Sequence, residues 1–72
     1  MKNEILQNLK SKYENDIAIA KTNIDIFLSS LQGVAEHIEY SETIEKELEK
    51  IANAQDKLEA LSTVMLGQQS NN

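Results

Sequence analysis

The 72-residue chain has no cysteine, no proline, no tryptophan and no arginine, and only two glycines. Each absence excludes something. Without cysteine there can be no disulfide and no thiolate zinc site, so the usual covalent or metal staple of a small domain is missing. Without proline, nothing in the chain breaks a helix by removing a backbone donor. Without arginine, the side chain best suited to bidentate phosphate or guanine contacts is gone. Seven lysines stand against twelve acids, for a formal charge of −5, which opposes binding to a phosphate backbone. These features exclude a nucleic-acid partner. No apolar run follows a basic start, so no secretory signal is expected. The longest apolar run, Ile17-Ala18-Ile19-Ala20, is far short of a membrane span. A reducing compartment fits a chain without cysteine.

What is present is aliphatic. Hydrophobic residues make up 40% of the chain, and only Tyr13, Phe27 and Tyr40 are aromatic. That content is too high for disorder driven by charge and low hydropathy. In the first half, Ile5, Leu9, Tyr13, Ile17, Ala20, Ile24, Phe27 and Leu31 recur in steps of three and four, so they share one face of an α-helix. Leu6, Ile19, Ile26 and Leu28 widen that face. In the second half, Ile44, Leu48, Ile51, Ala54, Leu58, Leu61 and Met65 repeat the pattern. Neither half alternates with period two, which argues against strands.

End signals divide the chain. Asn3 is a candidate N-cap with Glu4 beside it. Gly33 follows Leu31 and Gln32, where a left-handed glycine commonly ends a helix. Ser41 is a candidate second N-cap, with Glu42 and Glu45 in the following turn, and Gly67 is the expected stop. The reading is a helical hairpin over 1–67, with helices 4–31 and 42–66, a connection over 32–40 and a frayed polar tail over 68–72. Similar helix lengths and a short connection predict an all-α, antiparallel arrangement. One continuous helix is the rival. It would place Ser41 and Glu45 in the seam and Gly33 mid-helix, where glycine costs about 1 kcal/mol relative to alanine.

A lone pair of helices shares one line of contact, and these stripes are wider than that. The expected seam within the hairpin is Ile17, Ile24, Phe27, Leu31, Ile44, Leu48, Ile51 and Leu58. Ile19, Ile26 and Leu28 then form an outward interaction patch. Association into a helical bundle, with a second copy or a larger assembly, would bury the surplus.

Candidate chemistry is sparse. His37, in Glu36-His37-Ile38-Glu39, is the only nitrogen ligand of its kind, and zinc usually takes four ligands, so a solvated or capping histidine is the expected reading. Glu42, Glu45, Glu47 and Glu49 alternate with Lys46 and Lys50 and read as a solvated face, the Glu-x-x-His motif of di-iron bundles being absent. No nucleophile elbow, phosphate-cradling loop or paired Cys/His motif is present. No catalytic residue, cofactor or metal is therefore expected. Charge is uneven: residues 1–21 carry +1, residues 22–45 carry −5 and residues 46–72 carry −1. In a hairpin the middle segment is the tip, and Glu36, Glu39 and Glu42 would form an acidic knob able to face a basic partner.

Leu9-Lys10-Ser11-Lys12-Tyr13-Glu14, Gly33-Val34-Ala35-Glu36-His37 and Glu49-Lys50-Ile51-Ala52-Asn53-Ala54-Gln55-Asp56-Lys57-Leu58-Glu59 together resemble short hypothetical proteins of T-even-like, mostly marine, tailed phages. In that family an Asn-Pro pair precedes a glycine-rich turn. Here Leu31-Gln32 and Ala35 replace those features, which implies a more helical connection. The resemblance carries no known function. It implies a phage-encoded structural or accessory protein, in the host cytoplasm or the virion, more than a metabolic enzyme. The leading expectation is a non-enzymatic, coiled-coil-like interaction module that forms a homo-oligomer. The alternative is a small acidic regulator or inhibitor that captures a host protein through the knob. An enzymatic reading survives only as a metal-dependent carboxylate site in an oligomer.

Overall fold

A computed structural model describes residues 2–30 and 38–70, with side chains placed over 3–30 and 40–68. Two helices, α1 (Lys2–Ser30) and α2 (Ile38–Ser70), account for all of them, and no strand occurs among the described residues. The helices pack side by side into an all-α hairpin whose Cα atoms span 59 × 15 × 11 Å. They run antiparallel. Phe27 meets Tyr40 near the connection, Asn23 meets Glu47 near the middle, and Tyr13 meets Lys57 further along.

The helix bounds differ from the sequence reading in informative ways. α2 begins at Ile38, four residues before the expected start, so Ser41 lies inside the helix and is not its cap. The early start places Tyr40 on the seam, where its ring packs edge-on against Phe27 with centroids 5.5 Å apart and planes at 64°. An aromatic pair of this kind stabilises by about 0.5–1.5 kcal/mol beyond its buried area, enough to draw the extra turn into the helix. At the other end α2 runs through Gly67 to Ser70, so Gly67 is an interior helical residue and residues 68–70 belong to the helix, not to a separate tail. A methyl group built on Gly67 would meet nothing within 4 Å. Asn3 likewise sits within α1, which begins at Lys2, and Glu4 lies in the first turn, where the helix dipole favours an acid. The expected cap at Gly33 and the residue His37 lie outside the described residues.

The seam follows a heptad. In α1 the inward residues are Leu6, Leu9, Tyr13, Asp16, Ala20, Asn23 and Phe27, in steps of three and four. In α2 they are Tyr40, Ile44, Glu47, Ile51, Ala54, Leu58, Leu61 and Met65. This is the a/d pattern of a coiled coil. Taking Leu6 as position a puts Tyr13, Ala20 and Phe27 at a and Leu9, Asp16 and Asn23 at d. In α2, Ile44, Ile51, Leu58 and Met65 are at a, and Tyr40, Glu47, Ala54 and Leu61 at d. The most buried apolar residues among those described are Ala20 (1% exposed), Ala54 (4%) and Leu61 (7%). Two of the three are alanines, whose small side chains let the helix axes approach.

This register corrects the seam expected from the sequence. Leu48, expected inside, is 52% exposed, and Glu47 takes the inward position at 9%. Ile5 is 62% exposed, and Leu6 is turned inward in its place. Ile17 and Ile24 are half-buried beside the seam, with Asp16 and Asn23 next to them on the contact line. Ile44, Ile51, Leu58 and Phe27 do pack at the seam, half-buried, while Leu31 lies outside the described residues.

Candidate interaction surface

A hairpin of two helices has two long sides, and here they differ in chemistry. On a helical wheel the e row adjoins a, and the g row adjoins d. The d/g side is polar at its centre. Asn23 Nδ2 donates to Glu47 Oε1 at 3.0 Å, and Lys50 Nζ donates to Glu47 Oε2 at 2.9 Å. Both contacts are part-buried. Each oxygen of the carboxylate thus has a partner, and no buried side-chain nitrogen or oxygen among the described residues lacks one. The Asn23 amide first, then the Lys50 ammonium, hold the Glu47 carboxyl below its ordinary value of 4.5, against the opposing effect of burial. A groove of about 390 Å³ runs along this side, lined by Tyr13, Asp16, Ile19 and Asn23 of α1 and by Glu47, Lys50, Asn53 and Lys57 of α2, with Ala20 and Ala54 at its floor. The ammonium groups of Lys12 and Lys57 stand 5.5 and 5.6 Å from the Tyr13 ring centroid, and Lys12 pairs with Asp16 at 3.1 Å.

The a/e side is apolar along its a and e rows, with Glu42, Glu45 and Glu49 at its margin around Leu48. A groove of about 240 Å³ there brings Lys10 of α1 against Leu58, Leu61, Ser62, Met65 and Leu66 of α2. Lys10 and Ser62 are both e residues, which shows that the two e rows share this side. Ile17 and Ile24 continue the α1 row and Leu48 the α2 row, next to the half-buried Ile44 and Ile51. The described e residues carry a single charge, Lys10; the others are Asn3, Ile17, Ile24, Ser41, Leu48, Gln55 and Ser62.

The three residues of the expected outward patch are all exposed: Ile19 at 52%, Ile26 at 62% and Leu28 at 52%. They do not make one patch. Ile19 and Ile26 share the g row, and Ile19 borders the polar groove. Leu28 lies two residues beyond Ile26, about 160° round the helix, on the margin of the apolar side. Of the expected acidic knob, Glu42 is exposed, while Glu36 and the side chain of Glu39 lie outside the described residues. The expected carboxylate face is divided: Glu42, Glu45 and Glu49 are exposed, and Glu47 is turned into the seam. Among the described residues no three His, Cys, Asp or Glu side chains converge in a way that could hold a metal ion. Among the described residues no helix is long and apolar enough to cross a membrane.

Sequence reasoning missed Asn23 and Glu47. A signal did exist: a strict alternation of three- and four-residue steps passes through Asp16, Asn23 and Glu47, but apolar neighbours one residue later offered an equally regular path. Comparison with known proteins finds no matching family model, no matching curated protein and no matching solved structure.

Proposed function

We propose that this chain is a non-enzymatic protein-interaction module, a helical hairpin that completes its core by associating with further copies of itself. One observation carries the reading. Among the described residues the buried apolar set is Ala20, Ala54 and Leu61, whereas Ile5, Ile19, Ile26, Leu28, Leu48, Val64 and Leu66 are about half exposed or more. No large side chain among the described residues is fully buried. The aliphatic content therefore exceeds what one helix–helix contact removes from water, and burial of that surplus is the main term available to offset chain entropy. The polar groups that meet in the d/g groove bind one another, which supports a structural role for them over a chemical one. The resemblance of the sequence to short phage proteins supports a structural or accessory role in the host cell or virion.

Sedimentation velocity over a wide range of protein concentration tests this. The expected result is a species of at least twice 8.1 kDa that dissociates, with partial loss of helicity, on dilution. A single 8.1 kDa species that keeps its full helicity at every concentration would overturn the proposal.

A further inference from the structure

We infer that a second copy of this chain docks on the a/e side of the hairpin, over Ile17, Ile24, Leu48 and Ile51, and that the d/g side around Asn23 and Glu47 stays open to water. This rests on the self-association proposed above and assigns it a face.

The exposed area matches what a second copy would bury. The chain exposes 5738 Å². A compact protein of 8.1 kDa exposes roughly 4,500 Å² by the scaling of surface with mass. The excess is roughly 1,200 Å² per chain, or roughly 2,400 Å² for a pair, within the range of about 2,000–5,000 Å² typical of permanent homodimers. A two-fold pair of 59 Å rods laid along each other supplies contact over that length. Two hairpins so joined make a four-helix bundle, in which each helix needs a third apolar row beside a and d.

The choice of side follows from chemistry. Both sides carry apolar residues beside the seam, but they differ in charge. On the a/e side Ile17 and Ile24 on α1 and Leu48 on α2 supply the third row with Lys10 its one described charge, whereas the g rows interleave Ile5, Ile19, Ile26 and Val64 with Lys12, Lys50 and Lys57. Self-association of a chain with net charge −5 also favours the side with fewer acids, and no described a or e residue is acidic, whereas Asp16 and Glu47 stand in the d rows. Covering the d/g side would bury the exposed Ile5, Ile19, Ile26 and Val64, but with them the Glu47 carboxylate, Asp16 and the ammonium groups of Lys50 and Lys57, a desolvation cost that the a/e side does not carry. Lys50 is 62% exposed as its ion pair stands, so its head is already hydrated.

Two double variants, each at exposed positions, separate the sides. Leu28→Lys with Leu48→Lys marks the a/e side, and Ile19→Lys with Ile26→Lys the d/g side. Mass is read by sedimentation velocity and helicity by circular dichroism at matched concentration. The expected result is that the first pair lowers the mass to that of one chain and the second leaves the mass of the wild type unchanged. Single cysteines add a readout that does not depend on charge. In the associated state the thiol of Leu48→Cys should react with a maleimide at least tenfold more slowly than on dilution, and that of Ile26→Cys at an unchanged rate. Loss of association only with Ile19→Lys and Ile26→Lys, or protection only of Ile26→Cys, would overturn the face while leaving self-association standing. A monomeric wild type would overturn both.

Discussion

Truncating two leucines to alanine tests the register most directly, because the sequence pattern places both in the seam and the structure separates them. Leu61 is 7% exposed and Leu48 is 52% exposed. Removing the buried part of the Leu61 side chain forfeits about three methylene equivalents at about 0.8 kcal/mol each, and the cavity left behind brings the loss to about 2–3 kcal/mol. The lower end of the usual range applies because Leu61 lines an open groove, where neighbours can relax. Leu48→Ala in an isolated hairpin forfeits about half that transfer energy, leaves no cavity and gains about 0.2 kcal/mol of helix propensity, for a net loss of about 1 kcal/mol. Thermal unfolding followed by circular dichroism is the assay. At a dilution where the protein is a single chain, Leu61→Ala should lower the midpoint by roughly 10–20 °C and Leu48→Ala by less than about 8 °C. At high concentration the effect of Leu48→Ala should grow toward that of Leu61→Ala, because a second chain then covers Leu48, while the effect of Leu61→Ala stays nearly constant. Equal losses on dilution would refute the register, and a Leu48→Ala effect independent of concentration would refute its place at the interface.

Two further outcomes follow. Gly67→Ala should stabilise the hairpin by up to about 1 kcal/mol, measured by urea denaturation, since Gly67 is helical and a methyl there meets open space; destabilisation would restore the left-handed cap expected from the sequence. The Glu47 contact should make stability depend on pH in a defined direction. The folded-state pKa lies below the ordinary 4.5, so the contribution is fully present above that value and is lost as the pH falls through the lowered one. The midpoint should therefore fall more steeply in acid for the wild type than for Glu47→Gln. Asn23→Asp should reverse the sign, because two carboxylates at hydrogen-bond distance hold one proton between them and that variant then gains stability as the pH falls. Parallel acid limbs for all three proteins would remove the Asn23–Glu47 pair from the energetics.

The residues that were legible in the sequence, and those that were not, differ for one reason. Ala54, Leu58 and Leu61 fall on the apolar stripe from spacing alone, because apolar residues occupy every inward position there and only polar or small residues adjoin them. Toward the connection each helix offers two neighbouring rows with the same rhythm. Asp16 precedes Ile17, Asn23 precedes Ile24 and Glu47 precedes Leu48. A rule that seeks apolar residues selects the second member of each pair. The contact line instead runs through the first, where Asn23 and Glu47 satisfy each other across the helices, a match between positions 24 apart that periodicity within one helix cannot reveal. The start of α2 was missed for a similar reason. Ser41 is a reasonable cap in isolation, and only the Phe27–Tyr40 contact gives the preceding turn something to pack against.

The sequence by itself determined that this chain is two long amphipathic helices with more aliphatic surface than one contact line needs. Local spacing, the lack of proline and the low glycine content settle that without reference to any partner residue. Only the tertiary structure decided which way each helix is rotated. Rotation depends on what lies opposite, and a polar pair that completes its hydrogen bonds across the seam can displace an isoleucine or leucine to the flank. That rotation gives the hairpin one side centred on a polar pair and one without, and so distinguishes two faces that the hydrophobic count alone could not tell apart.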